Sequence, residues 1–264
     1  MNTSVDVTLI AGWAQTDQAL APLAESLRTG SSGVVPDFRS VSLTSTASLL
    51  GEAKAGACLA ADESPSAYTV ALASRLRRGE QPATLIGWSM GGMIALETAV
   101  HFPELVDRLV LVSSCAVFSP PAEDRGATPT LPVRALVVGL HRDRRETLRK
   151  FFALVYSETG DSMRIKEDLN QAMNIEPEAL FHGLRTLQRF DLCPRLSAVN
   201  VPTLLIHGRQ DQVISFRASQ LLVDGIVAST LLPVDEGDHG LPVTSPELVA
   251  AAVARFLSGD QLPV

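Results

Sequence analysis

One short stretch of the chain has a residue pattern suited to nucleophilic chemistry. Residues 84–92 read TLIGWSMGG, so Ser89 stands between Gly87 and Gly91 in a Gly-x-Ser-x-Gly pattern. An apolar segment precedes this pattern and a helical pattern follows it, which is typical of a nucleophile on a tight strand-to-helix turn. A serine there has a strained backbone, and the residues two before and two after it must lack a Cβ. We therefore predict that Ser89 is a nucleophile. A serine that occurs by chance in a glycine-rich junction is the alternative.

A serine hydroxyl needs a base to take its proton and an acid to orient that base. Asp211 follows a strand-like segment in the sequence HGRQDQVI, and His239 follows the last strand-like segment in Gly-Asp-His-Gly. Open α/β sheets build their sites at the carboxyl ends of the strands, so both side chains are expected near Ser89. The sequence predicts Asp211 as the orienting acid and His239 as the general base. Taken singly, a turn-capping aspartate and a solvated loop histidine are the alternatives.

Other histidines and acids are less suitable by position. Asp235 and Asp238 flank His239 too closely in sequence to reach its far nitrogen comfortably. His207 sits on or just after a strand and is expected to be a packed residue or one that surrounds the site without taking part in it. The remaining histidines lie in segments that point away from the predicted turn or belong to the helical insertion described below: His101, His141 and His182.

Acyl transfer also needs backbone N–H donors for the oxyanion that forms at the substrate carbonyl. Met90 begins the helix after Ser89, so its N–H is one expected donor. The loop after the first strand supplies the second donor in this arrangement, which makes the Trp13 N–H the expected partner. Trp13 and Trp88 would then form an apolar wall beside Ser89. Ordinary core packing is the alternative for each tryptophan.

Strand-like and helix-like segments alternate along the chain. The predicted strands are 5–11, 33–38, the segment entering Ser89, 109–112, 202–207 and 228–233, and the predicted helices are 16–27, 67–78, the segment after Ser89, 216–223 and 246–257. Residues 40–66 show little periodicity and are predicted to be loop with some helix. The alternation predicts an α/β fold with a mostly parallel sheet of about six or seven strands and helices on both faces.

The alternation stops after residues 109–112. Residues 119–132 are rich in proline, and from residue 133 to about 196 every pattern is helical. This segment is too long for one crossover between strands. We therefore predict a core formed by residues 1–116 and 197–264, with a helical cap, or lid, inserted at 117–196.

Composition limits the class of protein. The chain has 264 residues and a net charge of -7, which disfavours general nucleic-acid binding. Its three cysteines have neither a disulfide framework nor a zinc-site spacing, so no metal and no cofactor are expected. The first residues lack a signal-peptide pattern, and no apolar run is long enough to span a membrane. We expect a cytoplasmic protein, a monomer, that contacts no membrane.

These residues resemble the α/β-hydrolase superfamily over nearly the whole chain, and more narrowly the pimeloyl-[acyl-carrier protein] methyl ester esterases of biotin synthesis. The narrower resemblance rests on GWSMGG at 87–92, VSS at 112–114, FFAL at 151–154, GRQD at 208–211 and His239 with Pro246. It implies a triad of Ser89, Asp211 and His239, oxyanion donors at Trp13 and Met90, and an acyl site that includes Trp13, Trp88, Ser89, Met90 and the cap aromatic Phe151. Ala11-Gly12 replaces the usual His-Gly, residues 36–39 replace a glycine-rich turn, and an N-terminal strand pair is expected to be absent.

A basic segment lies in the predicted cap. Residues 141–150, HRDRRETLRK, carry five cations and two acids on a protein that is acidic overall. Arg142, Arg145 and Arg149 are expected on one helical face, where they could dock an acidic acyl carrier protein and steer its approach. A solvated helix with internal Arg/Glu pairs is the alternative.

The sequence as a whole predicts a serine carboxylesterase that hydrolyses the methyl ester of pimeloyl-acyl carrier protein in biotin precursor synthesis. A general small-molecule carboxylesterase, lactonase or thioesterase with the same triad is one alternative. A non-catalytic ligand-binding protein of the same fold is the other, although such proteins usually lose a triad member and none is missing here.

Overall fold

A six-stranded parallel sheet forms the centre of the protein. The computed structural model describes residues 5–30, 38–53, 64–119 and 132–260. The strands are β1 (Val5–Ile10), β2 (Phe38–Thr44), β3 (Ala83–Trp88), β4 (Val106–Val112), β5 (Thr203–Gly208) and β6 (Ser229–Val234). Their order is β2-β1-β3-β4-β5-β6, and every neighbouring pair is parallel. All residues of β3 and β5 are buried, as expected for central strands covered on both faces.

Helices cover both faces of this sheet, and further helices lie between β4 and β5. They are α1 (Ala21–Thr29), α2 (Thr46–Glu52), α3 (Ala67–Leu76), α4 (Met90–His101), α5 (Val133–Arg142), α6 (Arg144–Val155), α7 (Ser162–Ala172), α8 (Pro177–Arg189), α9 (Arg217–Gly225), α10 (Leu241–Thr244) and α11 (Pro246–Ser258). The crossover from β1 to β2 runs in the opposite direction to the later ones, so the right-handed rule places α1 and α3 on opposite faces. Accordingly α1 packs with α11, and α3 packs with α4. Among the helices described, none is long and apolar enough to cross a membrane.

The second strand lies later in the chain than the sequence pattern suggested. Residues 31–37, which include most of the predicted strand 33–38, lie outside the described residues. The prediction of loop over residues 40–44 is wrong, because β2 runs from Phe38 to Thr44 and pairs with β1. Val41 and Leu43 alternate with serine and threonine and pack against the core, which is a period-two signal of a strand.

In the described part of the chain between β4 and β5 lie four helices, α5 to α8, followed by a 3₁₀ helix at Cys193–Ala198. The helical prediction for residues 133–196 is thereby confirmed. Val117, on the way out of the sheet, forms an isolated antiparallel bridge with Asp191, on the way back. Leaving and returning chain segments are therefore held together at the base of these helices. The exact division into core and cap, 117–196, stays a prediction.

Candidate active site

Ser89 stands between β3 and α4 on a strained turn. Its backbone has φ 56° and ψ −123°, which is unusual for a residue with a side chain. The Ser89 N–H donates to the Val112 carbonyl at 3.0 Å, so the turn is anchored to the next strand. The residue is only 8% exposed. Ser89 therefore lies at the carboxyl edge of the sheet, here called the rim, and is covered by other residues.

The two glycines of the pattern lie where backbones approach closely. A Cβ on Gly91 would lie 2.1 Å from the Ile10 carbonyl oxygen, and a Cβ on Gly87 would lie 2.4 Å from Gly92 Cα. Neither contact is possible for a real side chain, and backbone atoms cannot move aside cheaply. The glycines therefore let the first turn of α4 pack directly against β1 and β3.

Asp211 and His239 meet at the carboxyl ends of β5 and β6. His239 Nδ1 lies 2.8 Å from Asp211 Oδ2, and both residues are buried. Asp211 Oδ1 accepts from the N–H groups of Val213 and Ile214, each at 2.8 Å. These bonds fix the carboxylate, and so the carboxylate can fix the imidazole.

His207 supports Asp211 from the other side. Its Nε2 lies 3.0 Å from the Ile214 carbonyl oxygen and 3.2 Å from Asp211 Oδ2. The carbonyl can only accept, so His207 Nε2 carries a hydrogen. Burial alone would raise the pKa of Asp211, but attraction to His239 and the hydrogen bonds from His207 and His239 together hold that pKa well below its usual value.

The ionised state of Asp211 determines the tautomer of His239. An ionised carboxylate has no proton to donate, so His239 Nδ1 carries the hydrogen in their shared bond. In the neutral ring, Nε2 then has the free lone pair, as a general base requires. Trp88 Nε1 donates to the His239 carbonyl at 2.8 Å, which ties the histidine loop to the residue next to Ser89.

Ser114 is a site residue to which sequence reasoning gave no role. Its Oγ donates to the Ser89 carbonyl at 2.9 Å, and a Cβ on Gly92 would lie 2.5 Å from that same Oγ. Ser114 therefore holds the backbone of the turn from the end of β4. In the sequence, the signal for such a role is the position of Ser114 in VSS, directly after a strand.

The loop after β1 approaches the nucleophile. A Cβ on Gly12 would lie 3.1 Å from Ser89 Cβ, and Ala14 has a positive φ of 61°. Within the described part of the chain, the Trp13 N–H has no acceptor. Met90 is the first residue of α4, where N–H groups have no partner inside the helix. These two N–H groups are thus the candidates for an oxyanion hole near Ser89.

Aromatic side chains connect this loop to the cap helices. The Trp13 ring meets the Phe151 ring edge to face, with centroids 5.0 Å apart. Trp13 Nε1 donates to the Leu180 carbonyl at 2.9 Å, and Gly183 leaves room for the indole. Trp88 is buried as Trp13 is, and it packs beside His239. A substrate contact for Trp13, Trp88 and Phe151 stays a prediction.

A second buried carboxylate, Asp238, links the histidine loop to the cap. Its Oδ1 accepts from the Gly240 N–H at 2.9 Å, and its Oδ2 accepts from the N–H of Glu158, after α6, at 3.4 Å. Burial raises the pKa of Asp238 despite these bonds. Asp235 is exposed and pairs with Arg209. Neither acid is bonded to the His239 ring, which is consistent with Asp211 as the partner.

The basic segment is arranged differently from the prediction. Arg142 ends α5, whereas Arg145 and Arg149 belong to α6, and Asp143 caps α6 by accepting from the Glu146 N–H at 3.0 Å. The expectation of one helical face is therefore wrong, because the helix breaks at Asp143. Arg149 pairs with Glu146 at 2.7 Å, as the alternative of internal pairing anticipated. Arg145 lies 3.4 Å from Asn170 Oδ1.

The described residues contain no group of three or more histidine, cysteine or acidic side chains suited to a metal ion. The groups at this rim that could take part in acyl transfer are Ser89, His239, Asp211 and the backbone N–H groups of Trp13 and Met90. As a set they offer a hydroxyl, an imidazole with a defined tautomer, a fixed carboxylate and two N–H groups. Such a set is suited to acyl transfer.

Comparison with known proteins agrees with this geometry. The profile of the alpha/beta hydrolase family matches residues 9–252. The chain belongs to this family. Because the match spans nearly all of the chain, the predicted α/β-hydrolase fold is confirmed.

Relatives of this α/β hydrolase have names that describe ester hydrolysis. It is 28% identical over 185 residues to a pimeloyl-[acyl-carrier protein] methyl ester esterase of Vibrio vulnificus, covering 69% of this chain and 72% of the relative. A protein of the same name from Aromatoleum aromaticum is 31% identical over 188 residues, with 67% and 74% covered. An esterase structure from Exiguobacterium antarcticum superposes with a TM-score of 0.80 at 18% identity, covering 98% and 93%, and shows the shared fold. The prediction of a carboxylic ester hydrolase is confirmed.

Proposed function

We propose that this hydrolase is a serine esterase in which Ser89, His239 and Asp211 form the catalytic triad. His239 Nε2 takes the Ser89 proton as Oγ attacks the ester carbonyl, and the imidazolium then donates that proton to the departing alcohol. Water then attacks the acyl-enzyme with His239 again as the base, and the acid is released as the proton returns to Ser89. Asp211 remains ionised throughout and stabilises the imidazolium.

The N–H groups of Met90 and Trp13 are proposed to bind the oxyanion in each tetrahedral intermediate. Both donors are backbone groups of segments fixed by close packing, so little reorganisation is needed as charge develops. The Met90 N–H also lies at the positive end of α4. One observation carries the proposal most strongly: the buried 2.8 Å bond between His239 and Asp211, on a loop tied to the turn of Ser89.

The proposed substrate is the methyl ester of pimeloyl-acyl carrier protein, in biotin precursor synthesis. Support comes from the names of the relatives at 28–31% identity. Trp13 and Phe151 would border the acyl chain as an apolar wall between the core and the cap. A cytoplasmic location and a monomeric state stay predictions.

A groove between α5 and α6 is the proposed docking surface for the acidic carrier. It has a volume of about 770 Å³ and is lined by Arg134, Val138, Arg142, Glu146 and Lys150, among others. Val138 is 58% exposed, so an apolar contact lies within a basic border. Arg142 lines the groove and is exposed. Arg145 is exposed but lies beside Asn170 of α7, and Arg149 contributes less net charge because Glu146 neutralises it. An acidic helix with a few apolar side chains would fit such a surface.

Complementation tests the specific function. The gene for this protein is introduced into a biotin-requiring bacterium that lacks its own methyl ester esterase, beside a Ser89→Ala variant of equal expression. Growth with the wild type alone would support the proposal. Absence of growth with either, while the purified wild type hydrolyses simple esters, would contradict the carrier-bound substrate and leave esterase chemistry in place.

A general small-molecule esterase or lactonase is the second candidate. The Glu146–Arg149 pair favours it, because one of the three predicted docking cations is already neutralised. This candidate predicts equal turnover of free methyl esters and carrier-bound ones. It also predicts that reversing the charges at Arg142 and Arg145 changes nothing.

A further inference from the structure

The loop that carries His239 is bonded to the cap as well as to the core. Asp238, the residue before His239, is 1% exposed. On the core side, its Oδ1 accepts from the Gly240 N–H at 2.9 Å and from the Thr244 hydroxyl at 3.3 Å. On the cap side, its Oδ2 accepts from the Glu158 N–H at 3.4 Å. One buried carboxylate therefore joins the histidine loop to the turn after α6.

A second contact joins the same two parts of the molecule. Tyr156 directly follows α6 and is fully buried, and a Cβ on Gly240 would lie 2.6 Å from its ring. The ring therefore lies against the backbone of the residue after His239. Its hydroxyl donates to Asp168 of α7, and the Asp168 carboxylate also lies 3.2 Å from Arg164 Nε. The ring that covers Gly240 is thus held by α7 as well as by α6.

His239 itself is bonded to the core. Its carbonyl accepts from Trp88 Nε1 and its Nδ1 lies 2.8 Å from Asp211 Oδ2. The residues before and after it, in contrast, contact the turn after α6. The direction of the imidazole depends on the backbone on both sides of it, and a displacement of about 1 Å at a catalytic group can lower a rate roughly 100-fold.

We propose that Asp238 is a positioning residue, which keeps the His239 imidazole in place for Ser89 only while the turn after α6 is docked on the histidine loop. The inference rests on the proposed esterase triad and makes the cap a part of what orients it. Undocking of this turn should inactivate the base although Ser89, Asp211 and His239 are all unchanged.

Asp238→Asn tests this link with little change in shape. An amide has one accepting oxygen and one donating nitrogen. Its oxygen can serve the two donors at the Oδ1 position, so its NH2 group faces the Glu158 N–H, donor against donor. The variant thus breaks the bond to the cap and keeps the bonds to Gly240 and Thr244. For methyl butyrate, kcat should fall roughly 10- to 100-fold, and KM should change by less than about twofold.

Asp235→Asn is the matched control, because it removes an exposed carboxylate from the same loop. Its kcat should stay within about twofold of the wild-type value. Loss of the Asp238 charge without displacement of His239 has a different signature. It would disfavour the imidazolium and move the acid limb of the kcat/KM profile to lower pH, with the plateau unchanged. That outcome would contradict a positioning role.

Proton NMR reports the position of His239 without turnover. The hydrogen shared by His239 Nδ1 and Asp211 should give a far-downfield resonance that is absent in His239→Ala. In Asp238→Asn this resonance should broaden or disappear, because the ring no longer keeps one position, and in Asp235→Asn it should persist. Because this measurement needs no substrate, it tests the inference even if the wild type hydrolyses no ester. An unchanged resonance in Asp238→Asn, or its loss in both variants, would overturn the inference.

Tyr156→Phe tests the same docking from the cap side, also in the event that Asp238→Asn does not fold. It keeps the ring over Gly240 but releases it from Asp168, so it should lower kcat and broaden the resonance less than Asp238→Asn does. Tyr68→Phe is its control, since it removes another buried hydroxyl between core and cap, 2.9 Å from His182 Nδ1 of α8. Equal changes in the two tyrosine variants would show a general effect of cap stability and would overturn the inference.

Discussion

The rim around Ser89 and the α5–α6 groove of the cap are built in opposite ways. At the rim, Ser89, Asp211 and His239 are 8%, 7% and 1% exposed, and the Asp211 carboxylate has several fixed donors. At the groove, the side chain of Lys150 is 69% exposed and shares the acid Glu146 with Arg149, whose side chain is 51% exposed.

This difference in burial determines how strongly a substitution should change activity or stability, and whether salt should alter that change. Interactions at the rim operate in a low dielectric with fixed geometry, so removal of one partner leaves another buried and unpaired. Charges at the groove are solvated and screened by salt, so each contributes little alone. Substitutions at the rim should therefore be severe and independent of salt, and those at the groove mild and sensitive to salt.

Asp211→Asn should have the largest effect. An amide cannot hold His239 in the required tautomer or stabilise the imidazolium, so kcat on a simple methyl ester should fall roughly 10⁴-fold. The fall should be the same at low and high salt. A loss of less than about tenfold would mean that another acid orients His239.

Gly91→Ala tests the close packing of the rim through stability. The new Cβ would lie 2.1 Å from the Ile10 carbonyl oxygen, so α4 must move away from β1. We expect a loss of about 3 kcal/mol or more in the free energy of unfolding, measured in urea. Gly51→Ala is the control, because nothing lies within 4 Å of a Cβ there. Equal stability of the two variants would contradict the packing argument.

The double reversal Arg142→Glu/Arg145→Glu tests the basic segment at the groove, of which Arg142 is a lining residue. Activity on a carrier-bound methyl ester should fall about tenfold in kcat/KM at low salt and less at high salt, since exposed charges mainly affect association. Activity on a free methyl ester should not change. Arg78→Glu/Arg217→Glu alters the net charge equally at exposed positions elsewhere. If both double variants lose the same share of their activity on the carrier-bound ester, the groove has no specific role in binding the carrier.

Glu146→Gln should change activity on the carrier-bound ester the least, and it should raise that activity instead of lowering it. Its hydrogen bond with Arg149 lowers the pKa of Glu146 from 4.5 to about 2. The ion pair is therefore complete above that range and is lost only as the pH falls through about 2, so ordinary assay pH does not release Arg149. Removing the acid should raise kcat/KM for the carrier-bound ester about twofold at low salt. A decrease would show that Glu146 itself contacts the carrier.

The sequence predicts the rim far better than the groove, for physical reasons. Gly-x-Ser-x-Gly encodes a backbone turn that few residues allow, so Ser89 could be found without coordinates. The prediction that Arg142 shares a helical face with Arg145 and Arg149 is wrong, because Asp143 begins a new helix. The pair Asp143 and Glu146 has the spacing of a capping box, which could have shown the break.

Contacts between distant segments were beyond the reach of pattern reasoning. The bond from Ser114 to the Ser89 carbonyl and the link from Asp238 to Glu158 both depend on the folded chain. The second strand shows a related difficulty, since four of its seven residues are serine, threonine or arginine and obscure the apolar alternation.

Covalent labelling tests the central claim most directly. A fluorophosphonate reacts with an activated serine, and mass spectrometry of the intact protein and of its peptides locates the adduct. We expect one adduct per chain, on Ser89, and a rate of labelling at least about 10³-fold lower in His239→Ala. An adduct on a different serine, or equal labelling rates in the wild type and His239→Ala, would contradict the proposed triad.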